Sequence, residues 1–277
     1  MNNISIDGKW LKGCDVNGQY IEEGNKSIFS IILLKRDCEM IIIPARLASS
    51  RFPNKVLADI NGLPMVIATA KRVESIDKVA IATDSKDVFN VAIDAGFQAV
   101  MTSSEHKSGT DRIDEAAKIL KISDDDIIIN VQADEPFIEE EVVRAVYDRV
   151  VEVQKSCEDV VMVSCYKKID ASLANNPNLV KVIMDNYGYA IYFSRSKIPY
   201  DREEHIGYFG HLGIYGFTKK SLKEFCQLPN APLEDIEKLE QLRAIYYGKK
   251  IAMVEVFSKS FGIDTKEDLK TALEMFK

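Results

Sequence analysis

The chain has 277 residues, 46% hydrophobic and 29% charged, with 36 basic against 43 acidic side chains and a net charge of −7. That balance describes a globular protein and excludes a mostly disordered chain. An acidic chain lacks the basic field of a duplex nucleic-acid binder, and no apolar run approaches the roughly 18–20 residues that span a bilayer, so neither nucleic acid nor membrane is expected as a partner. The five cysteines (Cys14, Cys38, Cys157, Cys165, Cys226) include no C-x-x-C pair. This argues against a disulfide framework or a thiolate zinc site, and for a reducing, cytoplasmic setting. Residues 1–30 show no signal-peptide pattern.

Residues 1–39 read as an extension, with five basic and six acidic residues, a turn at Asn17-Gly18 and a short apolar run, Ile28–Leu34. An added segment or an alternative start at Met40 is favoured over an accessory hairpin, and residues 40–277 read as one complete domain. From Met40 the pattern alternates. A buried strand is predicted over 40–43, followed by a polar loop, Arg46–Lys55, and a helix from Pro64 to about Ser75. A strand over 79–82, a helix over 86–95 ending at Gly96, a helix over 110–120 and a strand over 126–131 follow. A long helix over 139–155 and a strand over 160–165 complete the first half.

Segments 180–184 and 189–193 flank Asn186-Tyr187-Gly188 as a hairpin, 207–217 reads as a strand, and helices over 233–247 and 266–276 close the chain. Strands alternating with helices predict an α/β fold. Its mostly parallel, mixed sheet carries helices on both faces, followed by a smaller β-rich region.

Three cations, Arg46, Arg51 and Lys55, and two hydroxyls, Ser49 and Ser50, lie just past the first strand, at the edge where open α/β sheets bind ligands. Such a loop suits a triphosphate, and a solvated basic loop is an equal alternative. Neither a P-loop nor a dinucleotide fingerprint is present. Asp134 follows the most apolar strand, where carboxylate oxygens suit Mg²⁺ bound to phosphates. Asp264 is a second candidate carboxylate or else a helix N-cap. Ser108-Gly109-Thr110-Asp111-Arg112 opens a helix with free N–H groups, which suits a base or ribose and equally suits simple capping. Helical spacing puts Glu237, Glu240 and Gln241 on one face, ordinarily a solvated one. His211, alone in a strand, reads as structural.

These segments resemble the 3-deoxy-manno-octulosonate (Kdo) cytidylyltransferase family. The matching stretches are IIPARLASSRFPNK, ATD at 82–84, HKSGTDR at 106–112, NVQADEP, NPNLVKV at 176–182, YFSRSKIPYDR at 192–202, GHLGIYGF, LEQLR at 239–243 and GIDTKEDL at 262–269. They fall in order across nearly all of 40–277 and do not reach residues 1–39. Asn54 and Ala133 stand where the family commonly has glycine.

The resemblance implies a Rossmann-like nucleotide-diphospho-sugar transferase fold, a homodimer, and the reaction of CTP with Kdo to give CMP-Kdo and diphosphate for lipopolysaccharide inner-core assembly. It implies that Arg46, Arg51 and Lys55 grip the triphosphate, and that Ala45, Thr83, Ser108, Gly109, Thr110 and Arg112 line the cytidine site. Asp134 and Asp264 would hold Mg²⁺, and catalysis would rest on Arg46, Lys55 and these two aspartates. Gln132, Arg195, His211, Tyr215, Glu237, Glu240 and Gln241 would surround the sugar acid. A related acid sugar, such as an 8-amino relative of Kdo or a nonulosonic acid, and a catalytically silent nucleotide-binding relative are the alternatives.

Overall fold

The computed structural model describes residues 4–6, 9–11, 39–48, 51–156, 159–203 and 207–276. The Asn17-Gly18 turn, the run Ile28–Leu34, Ser49, Ser50, Cys14, Cys38 and Cys157 lie outside them. Two compact units divide the chain, Met1–Asp37 and Cys38–Lys277. In the first, β1 (Ile4–Ile6) pairs antiparallel with β2 (Lys9–Leu11), Ile4 opposite Leu11.

The second unit is organised by the apolar run that ends at Pro44. β3 (Glu39–Ala45) is followed by a small ribbon, β4 (Asp59–Ile60) with β5 (Leu63–Pro64). β3 lies parallel to β6 (Lys78–Thr83) and, on its other side, to β8 (Ile127–Asn130). β7 (Gln98–Met101) continues the parallel run beside β6. Strands without polar alternation are what a sheet covered on both faces requires. Ile41 and Ile43 accordingly pack in one layer and Ile42 in the other.

The first layer is covered by α1 (Met65–Val73), α2 (Lys86–Asp94) and α4 (Glu140–Ser156), and the second by α3 (Gly109–Ile119), α5 (Lys219–Gln227) and α7 (Leu242–Tyr246). The β-rich half adds β9 (Val160–Ile169), β10 (Lys181–Met184), β11 (Ala190–Ser194), β12 (Tyr208–Thr218) and β13 (Lys250–Glu255). The path β11-β10-β12-β8-β3-β6-β7 is joined by β9, which pairs antiparallel with β12 and parallel with β13. This is the predicted mixed sheet between two helical layers. Its parallel core is β8-β3-β6-β7, and β12 turns it antiparallel.

Besides the short pairs β1–β2 and β4–β5, the elements β7, α5 and β13 have no counterpart in the sequence reading. β7 is four residues long, too short to show a period. α5 buries only Lys219, Leu222 and Phe225 in an otherwise polar segment. The single helix expected over 233–247 is corrected to two, α6 (Pro232–Glu237) and α7, because Lys238 takes φ 54° and ends the first. Leu239 and Leu242 turn into the second core layer at 6% and 0% exposure, while Tyr246 faces outward. Glu237, Glu240 and Gln241 therefore do not share a helical face, and the expectation built on that spacing fails.

Candidate active site

Past the carboxyl end of β3 the chain forms a short 3-10 turn, Lys55–Leu57, headed by Asn54 with φ 55°. Glycine adopts this left-handed backbone freely, and asparagine is among the few side chains that tolerate it. Asn54 thus retains the turn that glycine would make, and the turn aims Lys55 inward. Its ammonium lies 2.6 Å from Asp134 Oδ2 and 3.0 Å from Asp264 Oδ1, and Arg51 Nη2 lies 3.1 Å from Asp264 Oδ2. Burial lowers the Lys55 pKa, but the two carboxylates, Asp134 foremost, outweigh it and hold it above its ordinary value. Beside Asp134, Glu135 is buried. Desolvation and then the Asp134 charge push its carboxyl up to about 8.

Asp264 reaches this point because its neighbours are fixed. Ile263 is wholly buried with Phe52, Phe137 and Met65, and its N–H donates to the Asp134 carbonyl at 2.9 Å. Thr265, not Asp264, caps α8 (Lys266–Met275), in a reciprocal pair with Asp268. The capping alternative for the Asp264 side chain is therefore excluded, and it is free to serve the cleft.

The cleft encloses about 330 Å³ and is lined by Arg46, Arg51, Lys55, Ser108, Gly109, Arg112, Gln132, Asp134 and Asp264, together with Pro44, Ala48, Val56, His106, Lys107 and Ala133. α3 begins at its wall. Ser108 Oγ caps the helix by accepting from Asp111 N, and the first N–H groups carry the partial positive charge that attracts phosphate. A Cβ on Gly109 would sit 3.2 Å from Pro44 Cγ and 3.6 Å from Gln132 Oε1, so glycine is what lets the helix start approach β3. Arg112 is buried and donates to Asp84 Oδ2 at 2.8 Å and to Thr102 Oγ1 at 2.5 Å. Ala45 and Thr83 are buried under the cleft rather than lining it, and Thr83 Oγ1 accepts from Ser85 N.

The remaining predicted residues form a second group outside that lining. Thr110 Oγ1 donates to Glu240 Oε1 at 2.7 Å, and Tyr215 Oη donates to Gln241 Oε1 at 3.3 Å. Desolvation raises the pKa of Glu240 and sends that of Tyr215 well up. His211 is buried, which lowers its pKa to about 3. Ser164 Oγ gives its one proton to the Ile214 carbonyl at 2.8 Å, so it accepts from His211 Nε2 at 2.9 Å, and the imidazole is the neutral Nε2–H tautomer.

Glu237 accepts from Ser194 Oγ and from the Arg195 backbone N–H. The Arg195 guanidinium donates to the carbonyls of Glu237, Pro177 and Lys238, which uses three of its five N–H bonds. Sequence reasoning assigned nothing to Asn130, His106 or Lys107. Asn130 is wholly buried on the Tyr215 face of the sheet with neither end of its amide partnered among the described residues. His106 pairs with Glu115. Both histidine and lysine stood in the HKSGTDR stretch, which was the available signal.

Two carboxylates meeting on one cation are also a donor set for Mg²⁺, which is held by one or two carboxylates with phosphate and water oxygens completing the octahedron. Among the described residues no cluster of three or more metal-ligating side chains occurs; two carboxylates alone would leave the other positions of such an ion to phosphate and water oxygens.

A family model described as Cytidylyltransferase matches residues 40–251. The 3-deoxy-manno-octulosonate cytidylyltransferase of a Nitratiruptor species is 58% identical over 231 residues, covering 83% of this chain and 97% of that protein. The protein of the same name from Wolinella succinogenes is 49% identical over 241 residues, 86% of this chain and 99% of its own. A solved structure of CMP:2-keto-3-deoxy-manno-octonic acid synthetase complexed with CTP superposes with a TM-score of 0.77 at 36% identity, covering 86% of this chain and 98% of that one. On the family match and these identities together, the chain belongs to the 3-deoxy-manno-octulosonate cytidylyltransferase family.

Proposed function

We propose that the protein transfers the cytidylyl group of CTP to Kdo, giving CMP-Kdo and diphosphate. The observation that carries this reading is the meeting of Lys55, Asp134 and Asp264 in a cleft also lined by Arg46, Arg51, Lys107 and Arg112. The anomeric hydroxyl attacks the α-phosphorus in line, a new P–O bond forms, and the bond to the β-phosphate breaks as diphosphate leaves. No covalent enzyme intermediate is needed, so the protein's work is positioning and electrostatics.

Arg46 and Arg51 supply forked donors for the phosphate oxygens and Lys55 a point charge. The helix start at Ser108-Gly109-Thr110, with Arg112 beneath it, holds the nucleoside end. Mg²⁺, held by Asp134 and Asp264, would neutralise charge on the phosphate oxygens. Lys55 must then yield part of its contact with the carboxylates and turn to the phosphates.

Support for a polyhydroxy acid on the other side comes from four buried polar atoms without a partner among the described residues: Asn130 Nδ2 and Oδ1, Glu240 Oε2 and Gln241 Nε2. Buried polar groups need partners, and hydroxyls both donate and accept. Gln132 and Tyr215 border the same region, His211 contributes as a neutral hydrogen-bonding group, and the Arg195 guanidinium, with two N–H bonds beyond its three carbonyl contacts, suits a carboxylate.

On the family resemblance we also infer a homodimer and a cytoplasmic enzyme. Free Cys165 and Cys226 suit a reducing compartment, and no helix among the described residues is long and apolar enough to cross a membrane.

Diphosphate release with CTP and Kdo, with and without Mg²⁺, tests the reading against UTP, ATP, sialic acid and 8-amino-Kdo. Kdo- and CTP-dependent release that needs the metal is expected. Faster turnover of another acid sugar, or no turnover at all, overturns it.

A further inference from the structure

Asp264 stands at the end of an irregular segment, 256–264, that belongs to no helix or strand. Such a segment keeps one course only if its backbone groups find partners elsewhere. Two charged side chains from outside the segment supply several of them. Lys167, on β9, donates its ammonium to the carbonyls of Ser258 and Ser260 at 3.2 and 2.8 Å. Glu139, just before α4, accepts from Ser258 Oγ at 2.7 Å and from the Lys259 N–H at 2.9 Å. The strap is thus gripped through both polarities of its backbone at 258–260, four residues before the aspartate that faces Lys55.

We propose that Lys167 is a positioning residue for the transfer reaction, holding the 256–264 strap so that Asp264 meets Lys55 across the cleft. The inference rests on the reading of Asp264 as a site residue. Lys167 does not line the cleft; its hydrogen bonds go to the strap carbonyls, and its charge also acts on the buried Glu135 and on Glu139. The contacts downstream carry the effect forward: the Ile263 N–H is on the Asp134 carbonyl, and a Cβ on Gly262 would lie 3.5 Å from Glu135 Oε1 and 4.0 Å from Asp134 Oδ1. A strap released at 258–260 pivots on Ile263, and a displacement of about 1 Å at a reacting group costs up to 10²-fold in rate.

The full-length chain tests this with Lys167→Met, Lys167→Arg, Asp264→Asn and the Lys167→Met/Asp264→Asn pair. Hydrogen exchange on the protein without metal or nucleotide reports the strap directly. Lys167→Met should speed exchange over 258–264 by about tenfold or more while leaving β3 and α3 unchanged, since charge-assisted bonds to the backbone are lost. Turnover should fall on the order of 10- to 100-fold with KM for CTP changed by less than about threefold, and Lys167→Arg should restore most of it.

In the Asp264→Asn background, Lys167→Met should cost less than about twofold more, because the two act in series. Unchanged exchange, or a loss that multiplies fully in that background, overturns the proposal. Should Lys167→Met not fold, Glu139→Gln releases the same segment from the other side and is judged by the same exchange. If Asp264→Asn alone keeps wild-type turnover, it is the reading of the cleft that fails, while the exchange measurement still judges the grip on the strap.

Discussion

His211 offers a stability test whose magnitude follows from its burial. Its imidazole sits in β12 at 9% exposure, packed edge-on against Phe193, and burial lowers its pKa from 6.5 to about 3. The unfolded chain binds a proton near pH 6.5 that the folded protein refuses until about pH 3. Between those values the unfolded state holds more protons, so stability rises with pH there. The contribution is complete above 6.5 and is lost progressively as pH falls toward 3. The slope is at most about 1.4 kcal/mol per pH unit, and the accumulated loss is on the order of 4 kcal/mol.

His211→Gln keeps an N–H donor for Ser164 Oγ and removes the titration. Urea unfolding of both proteins at pH 7, 6, 5 and 4 isolates the effect, because carboxylates titrate alike in each and cancel in the difference. The variant should gain on the wild type by about 1 kcal/mol per unit below pH 6. Parallel curves would mean that the imidazole accepts a proton in the folded state, and the neutral hydrogen-bonding role given to it would fall.

Asp264→Asn and Asp134→Asn should each cut turnover on the order of 10³-fold at saturating Mg²⁺, with melting temperature little changed, since Thr265 and not Asp264 caps the last helix. Near-wild-type turnover in either variant removes that residue from the metal role. Gly109→Val should cost about 1–3 kcal/mol of stability, because its Cβ meets Pro44 at 3.2 Å and the helix start must back away. Calorimetry should show CTP binding weakened in the same variant, and unchanged CTP affinity would detach the start of α3 from the nucleotide.

The parallel core was legible because burial on both faces leaves a one-dimensional trace: Met40–Ile43 and Ile127–Ile129 are apolar without alternation, and Pro44 and Asn130 mark where they reach the ligand edge. Much of the cleft followed from that edge rule and from charge, since Arg46, Arg51, Lys55 and Asp134 all lie in the loops that follow the carboxyl ends of β3 and β8. The break at Lys238 left no such trace. Pro232–Tyr246 carries helix-forming residues throughout, and it is the guanidinium of Arg195 on the carbonyls of Glu237 and Lys238, together with the burial of Leu239, that favours ending one helix and starting another.

Side-chain partnerships with distant backbone carbonyls are the part that a sequence hides most completely. Lys55 meets carboxylates 79 and 209 residues away, yet charge complementarity alone makes that meeting a reasonable expectation. No complementarity in the chain announces that Lys181 is wholly buried on the carbonyls of Asn176 and Arg195, or that Lys167 grips those of Ser258 and Ser260. Every residue offers a carbonyl, so the choice of partner is made by the fold and not by residue type. One lysine stands behind a residue assigned to the sugar acid, Arg195, and the other behind a residue assigned to the metal, Asp264. Irregular segments lack the internal hydrogen bonds that fix a helix or strand, so a side chain placed on one is held by contacts from outside the segment, here the Lys167 ammonium, the Glu139 carboxylate and the Asp134 carbonyl. In the sequence Lys167 and Lys181 resemble solvated surface charge; in the fold each ammonium is turned onto two backbone carbonyls.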